Sequence, residues 1–392
     1  MRPDQVAIVV LNWNRRADTL ACLESLAQAE IGGAALYVVD NGSQDGSAAA
    51  VREAYPHVRV IALPENRGFA GGNNAGIRAA LDAGAEGVLL LNNDTRVSPD
   101  FLTPMLWAFD AFPGAAAVCS AIHRMDRPEM LDVAYAQVHF AQREAVQLRG
   151  VNALPGDGFG ARCEIDVAVG CSMLVKAEAW RRVGLFDEQY FAYHEDVDWS
   201  LRAHRAGYQL VYEPFSRVFH RGSGSTAALP QTPRVDSDAP ADATALPNAE
   251  PMPWNPARTY LGARNLIRLL HSYATRREQL LFLLSCAYQF PLELLAILHD
   301  REGWMRLGRW SYSDALRLRL LERHADELAG RGRLQTLTWL LVHAPIDLFV
   351  TLPREIGAAD RQGRLAQLRS HLRGLCDGVR GRPLPLRELG LQ

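Results

Sequence analysis

The first hundred residues alternate short apolar runs with helical patterns, and nothing else in the chain restricts its fold as strongly. The runs VAIVVLNW (6–13), LYVVD (36–40), VRVIAL (58–63) and GVLLLN (87–92) are strand-length and carry little polar alternation. Between them, residues 16–28, 47–55 and 72–83 place apolar side chains at helical spacing. Strands separated by helices of crossover length predict a mostly parallel sheet covered by helices on both faces. Ligands of such sheets bind beyond the carboxyl ends of the strands. Asp40 ends the second run and Asp94 follows the fourth through Asn92-Asn93, so both carboxylates are expected at one crevice.

The pattern then loosens. Residues 120–162 suggest hairpins or loops packed on the sheet, and IDVAVGCSMLV (165–175) reads as another strand. Two short helices are predicted over 177–184 and 195–206, followed by a strand, YQLVYE (208–213). Residues 227–256 are rich in Pro, Ala, Asp and Thr without periodicity, the composition of a flexible linker. Two mostly apolar segments follow, 279–298 and 334–352, each with a central proline and an acid: Pro291 with Glu293, and Pro345 with Asp347. A membrane-crossing helix rarely contains both.

Charge is distributed unevenly. From Arg258 onward 21 arginines stand against 13 acidic residues, a surplus of 8, so with −2 overall the preceding part carries −10. Positive charge beside apolar segments predicts broken helices at an anionic membrane surface; a small helical domain with buried helices is the alternative. A near-neutral total gives no reason to expect nucleic acid as a partner. The six cysteines include no Cys-x-x-Cys pair, which speaks for reduced thiols rather than a zinc site or disulfides. The chain enters a strand pattern at once, without a basic and apolar leader, so a cytoplasmic protein is expected.

Four stretches contain candidate chemistry. ENRGFAGGNNAGI (65–77) puts glycines at a strand-to-helix turn, where a ligand could approach the backbone closely. The glycines follow the third strand; a dinucleotide fingerprint would place them after the first, so a dehydrogenase is excluded. VVDNGSQDGS (38–47) offers Asp40, either a turn cap or a ligand group. FAYHEDVDWSLR (191–202) gathers Glu195, Asp196 and Asp198 at a helix start, beside His194 and Trp199. The helix dipole accounts for one or two of these acids; a carboxylate facing a crevice there is also a sound general base. In VFHRGSGST (218–226), His220 precedes a glycine-serine run suited to phosphate oxygens.

Taken in order, these four stretches resemble glycosyltransferase family two, the inverting enzymes of the GT-A fold, and in particular its rhamnosyltransferase-like branch. The resemblance covers residues 6–226, is closest over VGCSMLVKAEAWRRVGLFDEQYFAYHEDVDWSLRAHRAGYQLVYEPFSRVFHRGSGS, and returns at YLGARNLIRLL. It implies a GT-A domain over 1–226, the linker over 227–256, and a helical, membrane-associating region over 257–392. Asn92-Asn93-Asp94 occupies the place of the family's Asp-x-Asp motif, with Asn where the first Asp stands, which makes Asp94 the expected ligand of Mn²⁺ or Mg²⁺. By the same resemblance Trp13 and Asp40 hold the nucleotide base, Asn66 and Asn73 line its pocket, and Asn92 and Asn93 meet the nucleotide sugar. Asp196 matches the catalytic base, with Glu195 as its neighbour or its exchange partner, and His220 matches a further metal-side ligand. Gly170, Cys171, Trp199, Arg221, Ser223 and Arg264 fall on the acceptor or phosphate side, and Asn265 completes an Arg-Asn element with Arg264.

The implied activity is inverting, metal-dependent hexosyl transfer from a dTDP- or UDP-sugar, rhamnose favoured, to a saccharide acceptor. A lipid-linked acceptor in polysaccharide or cell-wall assembly suits the C-terminal region, at the inner face of the cell membrane. A metal-dependent nucleotidyltransferase would carry glycines after the first strand, where LNWNRRADTL has none. An inactive scaffold of the same fold would have lost Asp94 or Asp196, and both are present.

Overall fold

The computed structural model describes residues 1–142, 144–221, 256–285, 370, 372–389 and 391. Ser223, residues 227–255 of the expected linker, residues 286–298 of the first apolar segment and all of the second lie outside the described residues.

Four strands form the parallel part of the sheet: β1 (Val6–Asn12), β2 (Ala35–Asp40), β3 (Arg59–Ala62) and β4 (Gly87–Asn92). Three helices connect them: α1 (Arg16–Ala27), α2 (Ser47–Ala54) and α3 (Gly68–Asp82). Their spatial order is β3-β2-β1-β4, so the winding reverses at β1. Such a reversal opens a crevice at the carboxyl ends of the strands flanking it. Successive residues of β1 serve opposite faces. Val6, Ile8 and Val10 pack with α1, whereas Ala7 and Val9 pack with α3, which is why the run shows no polar alternation.

Beyond β4 lie β5 (Thr95–Val97), α4 (Leu102–Ala111), β6 (Ala115–Arg124) and β7 (Leu131–Val133). A separate hairpin, β8 (Tyr135–Val138) with β9 (Val146–Arg149), follows, then β10 (Cys163–Glu164). β11 (Ser172–Lys176) inserts antiparallel between β4 and β6, and α5 (Ala177–Val183) and α6 (Glu195–Arg205) lead to β12 (Gln209–His220). α7 (Pro256–Tyr273) packs over the end of the domain. The expected architecture, a mostly parallel α/β sheet with helices on both faces and helical structure after it, is the one the chain adopts.

Two departures from the expected elements matter for the site. β12 does not stop at Glu213: the register with β6 shifts between Glu213 and Arg217, the shift absorbs Pro214, and pairing resumes to His220. Its end pairs with β5, setting His220 opposite Thr95, one residue past Asp94. α3 begins at Gly68, four residues before the expected start. Its glycines serve packing. A Cβ on Gly72 would stand 2.4 Å from Leu11, and one on Gly76 would stand 2.3 Å from Val9, so only glycine lets α3 lie this close to β1. The first α3 amides are also taken: Gly68 donates to Asn66 Oδ1 and Ala70 to the Phe191 carbonyl. Gly72 and Gly76 thus serve an approach of the helix itself, whereas Gly68, at the start of the cluster, lines the crevice at the strand ends.

Candidate functional site

The floor of the crevice is organised by Asn12, the fully buried last residue of β1. Its amide donates to Asp40 Oδ1 (2.9 Å) and Ser43 Oγ (3.1 Å). Its Oδ1 accepts from Thr19 Oγ1 (2.8 Å) and Asn93 Nδ2 (3.1 Å). One side chain therefore ties β1 to β2, α1 and the turn after β4. Asn93 also donates to Thr19, so its amide is a brace under the floor. Asp40 is buried against Asn12 and is not among the residues lining the crevice.

The crevice is lined by Trp13, Asn66, Asn92, Asn93 and Asp94, with Phe69 and Phe191 behind them. Its outer wall comes from far along the chain: Tyr193, Arg258 and Leu261 of α7, and Leu391. Asn66 Nδ2 donates to the Leu391 carbonyl at 3.1 Å. Asn73 lies elsewhere. It is buried on α3 and donates to the Phe69 carbonyl of its own helix.

At the β4 end, Asp94 Oδ1 stands 3.3 Å from His220 Nε2, and Asp132 Oδ2 is 2.7 Å from His220 Nδ1. Burial alone would lower the imidazole pKa, but the hydrogen bonds and charges of Asp132 and Asp94 outweigh it and raise the value to about 10. Protonated, His220 bridges two acids; neutral, it aims one ring nitrogen at Asp94 while Asp132 holds the other. Arg221 adds a backbone bond to the Asp94 carbonyl and an ion pair to Asp18. Asp132 gave no signal in the sequence, since it sits in the irregular stretch after β6.

At the other side of Phe69, α6 begins with two acids in different surroundings. Glu195 is buried, its Oε2 has no hydrogen-bond partner, and burial, aided by the charges of Asp196 and Asp198, raises its pKa well above the carboxylate range. Asp196 also has its pKa raised by burial, but accepts from the Gly170 amide at 3.0 Å and the Val197 amide at 2.8 Å, bonds that favour its charged form. A Cβ on Gly170 would lie 3.4 Å from Phe69 and 3.5 Å from Asp196 Oδ2, so Gly170 fits between the carboxylate and a crevice residue. Helical geometry explains the pair: Glu195 and Trp199 share one buried face, and Asp196 is rotated away from it.

Two of the acceptor-side expectations, Trp199 and Cys171, need correction, and Arg264 lines a different cavity, with Arg268, His271 and Arg382. Trp199 is fully buried, donates to the Gly184 carbonyl and packs 4.7 Å from the Trp180 ring, so it has no surface for an acceptor. The Cys171 thiol is buried and its pKa raised; it is the Cys171 carbonyl that works, accepting from Asn92 N. Arg264 is outside the crevice, its guanidinium donating to the carbonyls of Gln189 and Arg382.

The segment before α6 is strained. Phe191, Tyr193 and His194 have φ of 64°, 70° and 71°, a conformation costing about 1–3 kcal/mol for each such residue. Asn265 on α7, fully buried, donates to the carbonyls of Tyr190, Ala192 and Tyr193 at 2.8, 2.9 and 2.8 Å.

Residues 7–166 match the model of "Glycosyl transferase family 2", and residues 87–299 match that of "Glycosyl transferase family group 2". An N-acetylglucosaminyl-diphospho-decaprenol L-rhamnosyltransferase of Mycobacterium tuberculosis is 28% identical over 58% of this chain and 79% of its own. The low-salt glycan biosynthesis hexosyltransferase Agl10 of Haloferax volcanii is 26% identical over 52% and 62%. The solved mannosyltransferase PcManGT of Pyrobaculum calidifontis, in complex with GDP-Man and Mn²⁺, is 17% identical over 96% of this chain and 88% of its own, with a TM-score of 0.47. From its matched families, the chain belongs to glycosyltransferase family 2 and is a glycosyltransferase akin to rhamnosyltransferases.

Proposed function

We propose that the protein transfers a sugar, rhamnose favoured, from a dTDP- or UDP-linked donor to a hydroxyl of a diphospholipid-linked saccharide, with inversion at the anomeric carbon. The observation carrying this reading is the pairing of one carboxylate held ionisable by backbone amides, Asp196, bonded to Gly170 beside the carboxyl end of β4, with an Asp94–His220 pair just past that end. Asp196 takes the proton of the acceptor hydroxyl. The freed oxygen attacks the anomeric carbon from the face opposite the diphosphate, whose bond breaks with the electron pair leaving on its oxygen. Burial raises the Glu195 pKa and so disfavours a second negative charge beside the base. One displacement inverts the centre, and no covalent sugar–enzyme bond forms.

The donor chemistry at Asp94 fits a divalent cation. A carboxylate oxygen and an imidazole nitrogen face each other, and Asp132 fixes the ring as carboxylates behind metal-bound histidines do. Among the described residues no cluster of three or more His, Cys, Asp or Glu side chains is arranged to hold a metal alone. Two protein donors suit a cation that completes its shell with substrate phosphates, as Mg²⁺ commonly does. Bound there, Mn²⁺ or Mg²⁺ supplies Lewis-acid neutralisation of the departing diphosphate.

The acceptor class rests on the relative named for a diphospho-decaprenol substrate and on the C-terminal surface. In the helical stretch 276–285, Leu280, Leu283 and Leu284 are each more than half exposed, next to Arg276 and Arg277. That combination suits a peripheral seat on an anionic inner membrane face. Among the described residues no helix is long and apolar enough to cross a membrane. The test is to incubate the protein with dTDP-rhamnose, Mn²⁺ and a short-chain N-acetylglucosaminyl-diphospho-prenol and to read the product by NMR. A new glycosidic bond of opposite anomeric configuration to the donor is expected. A product that retains the donor configuration would overturn the direct-displacement reading.

A further inference from the structure

The turn entering α6 is held from two sides, by α7 and by the start of α3. On one side Asn265 places a single amide against three carbonyls, those of Tyr190, Ala192 and Tyr193. Its own Oδ1 accepts from Arg264 Nη1, which also donates to the Gln189 carbonyl. Two adjacent α7 side chains thus reach four carbonyls of a five-residue span, the two Asn265 N–H groups being shared among three of them. On the other side the remaining carbonyl, that of Phe191, accepts from Ala70 of α3, and a Cβ on Gly68 would come within 2.4 Å of it. Between these anchors lie three non-glycine residues with positive φ, one of which, His194, immediately precedes Glu195-Asp196. A turn that no local sequence preference favours keeps its shape only through such external bonds.

We infer that Asn265 is a positioning residue for sugar transfer: by clamping the 190–193 carbonyls it fixes where α6 starts, and so where the Asp196 carboxylate stands relative to the crevice. This rests on the proposed role of Asp196 as base. It gives the Arg264-Asn265 element a function distinct from the acceptor or phosphate contact expected for Arg264. Displacing a reacting group by about 1 Å costs roughly 100-fold in rate, whereas the donor floor made by β1 and β4 does not depend on the clamp.

The test compares Asn265→Ala and, as a separate push on the same turn, Gly68→Ala with the unaltered protein and with Asp196→Asn. Three quantities are read: dTDP affinity with Mn²⁺, kcat with dTDP-rhamnose and the short-chain diphospho-prenol acceptor, and hydrogen exchange of peptides over 188–198. Asn265→Ala is expected to lower kcat by roughly 100-fold. Its dTDP affinity should fall by much less than its kcat, because the β1–β4 floor is untouched and only the crevice wall at Phe191 and Tyr193 is loosened. Exchange should quicken over 188–198 and stay unchanged in β1 and β4. A kcat that falls only with the folded fraction, or exchange that quickens across the whole domain, would make Asn265 a merely structural residue and overturn the inference. Should Asn265→Ala fail to fold, Gly68→Ala decides: unchanged kcat and unchanged exchange at 188–198, or a kcat that falls only with dTDP affinity, overturn the inference, and a lower kcat with quicker exchange there and retained dTDP affinity upholds it. Retained turnover in Asp196→Asn would instead sink the base assignment, whereas an inactive Asp196→Asn beside an active Asn265→Ala would sink the clamp alone.

Discussion

Asp196→Asn is expected to lower kcat by roughly 1,000-fold, about 4 kcal/mol of barrier, while the dTDP affinity stays at its unaltered value. The substitution keeps the shape of the side chain and one acceptor oxygen for the Gly170 and Val197 amides, which bond different oxygens of Asp196, and it removes the capacity to take a proton. The pH profile gives the same residue a second signature. A general base acts deprotonated, and burial raises the Asp196 pKa above that of an exposed aspartate. Activity should therefore fall as pH drops through that raised value, at a higher pH than an ordinary carboxylate would give, and the limb should vanish from the residual rate of Asp196→Asn. Glu195→Gln, by contrast, removes a charge that burial already disfavours and should retain most of kcat; steady-state kinetics on both variants separate the two acids.

The second large effect is on donor binding. Asp94→Ala is expected to weaken binding of dTDP in the presence of Mn²⁺ by roughly 100-fold, about 2.7 kcal/mol, and to leave the much weaker metal-free binding almost unchanged. His220→Ala should act in the same direction. Asp132→Asn, which keeps the bulk but loosens the hold on His220, should cost roughly 10-fold, as partners behind a ligand do. The raised His220 pKa sets the sign with pH. A protonated imidazole cannot be a ligand, so metal-dependent binding should strengthen as pH rises and the cation displaces the proton. Titration calorimetry at two pH values reads both the affinity and the proton release.

How far the sequence reveals this site depends on the range of the interaction. β1 to β4 were legible because a strand buried on both faces is a continuous apolar run, and a crossover helix has its own period. The placement of Asp94 beyond a strand end follows from the same run. β12 was cut short at Pro214 because proline ordinarily ends a strand, and only the register shift against β6 shows how it is accommodated. Asn12 and Asp132 were missed because their importance lies in hydrogen bonds to elements tens of residues away, with no local mark, and the same distance hides what Asn265 of the Arg-Asn element holds. Trp199 was misjudged for the opposite reason. Its neighbours Glu195 and Asp196 drew it into the motif, while one helical turn sets it in the core. The glycines of α3 were visible, but whether a Cβ would strike a ligand or Val9 is decided only by the packed helix.

The central claim is that the crevice at the ends of β1 and β4 holds a nucleoside diphosphate through a metal at Asp94. Calorimetric titration of dTDP, UDP and GDP into the full chain, each with and without Mn²⁺, tests it most directly. The account predicts metal-dependent binding of dTDP or UDP, tighter than that of GDP, and lost in Asp94→Ala. Binding that ignores Mn²⁺, or no binding of any of the three to a folded protein, would contradict it.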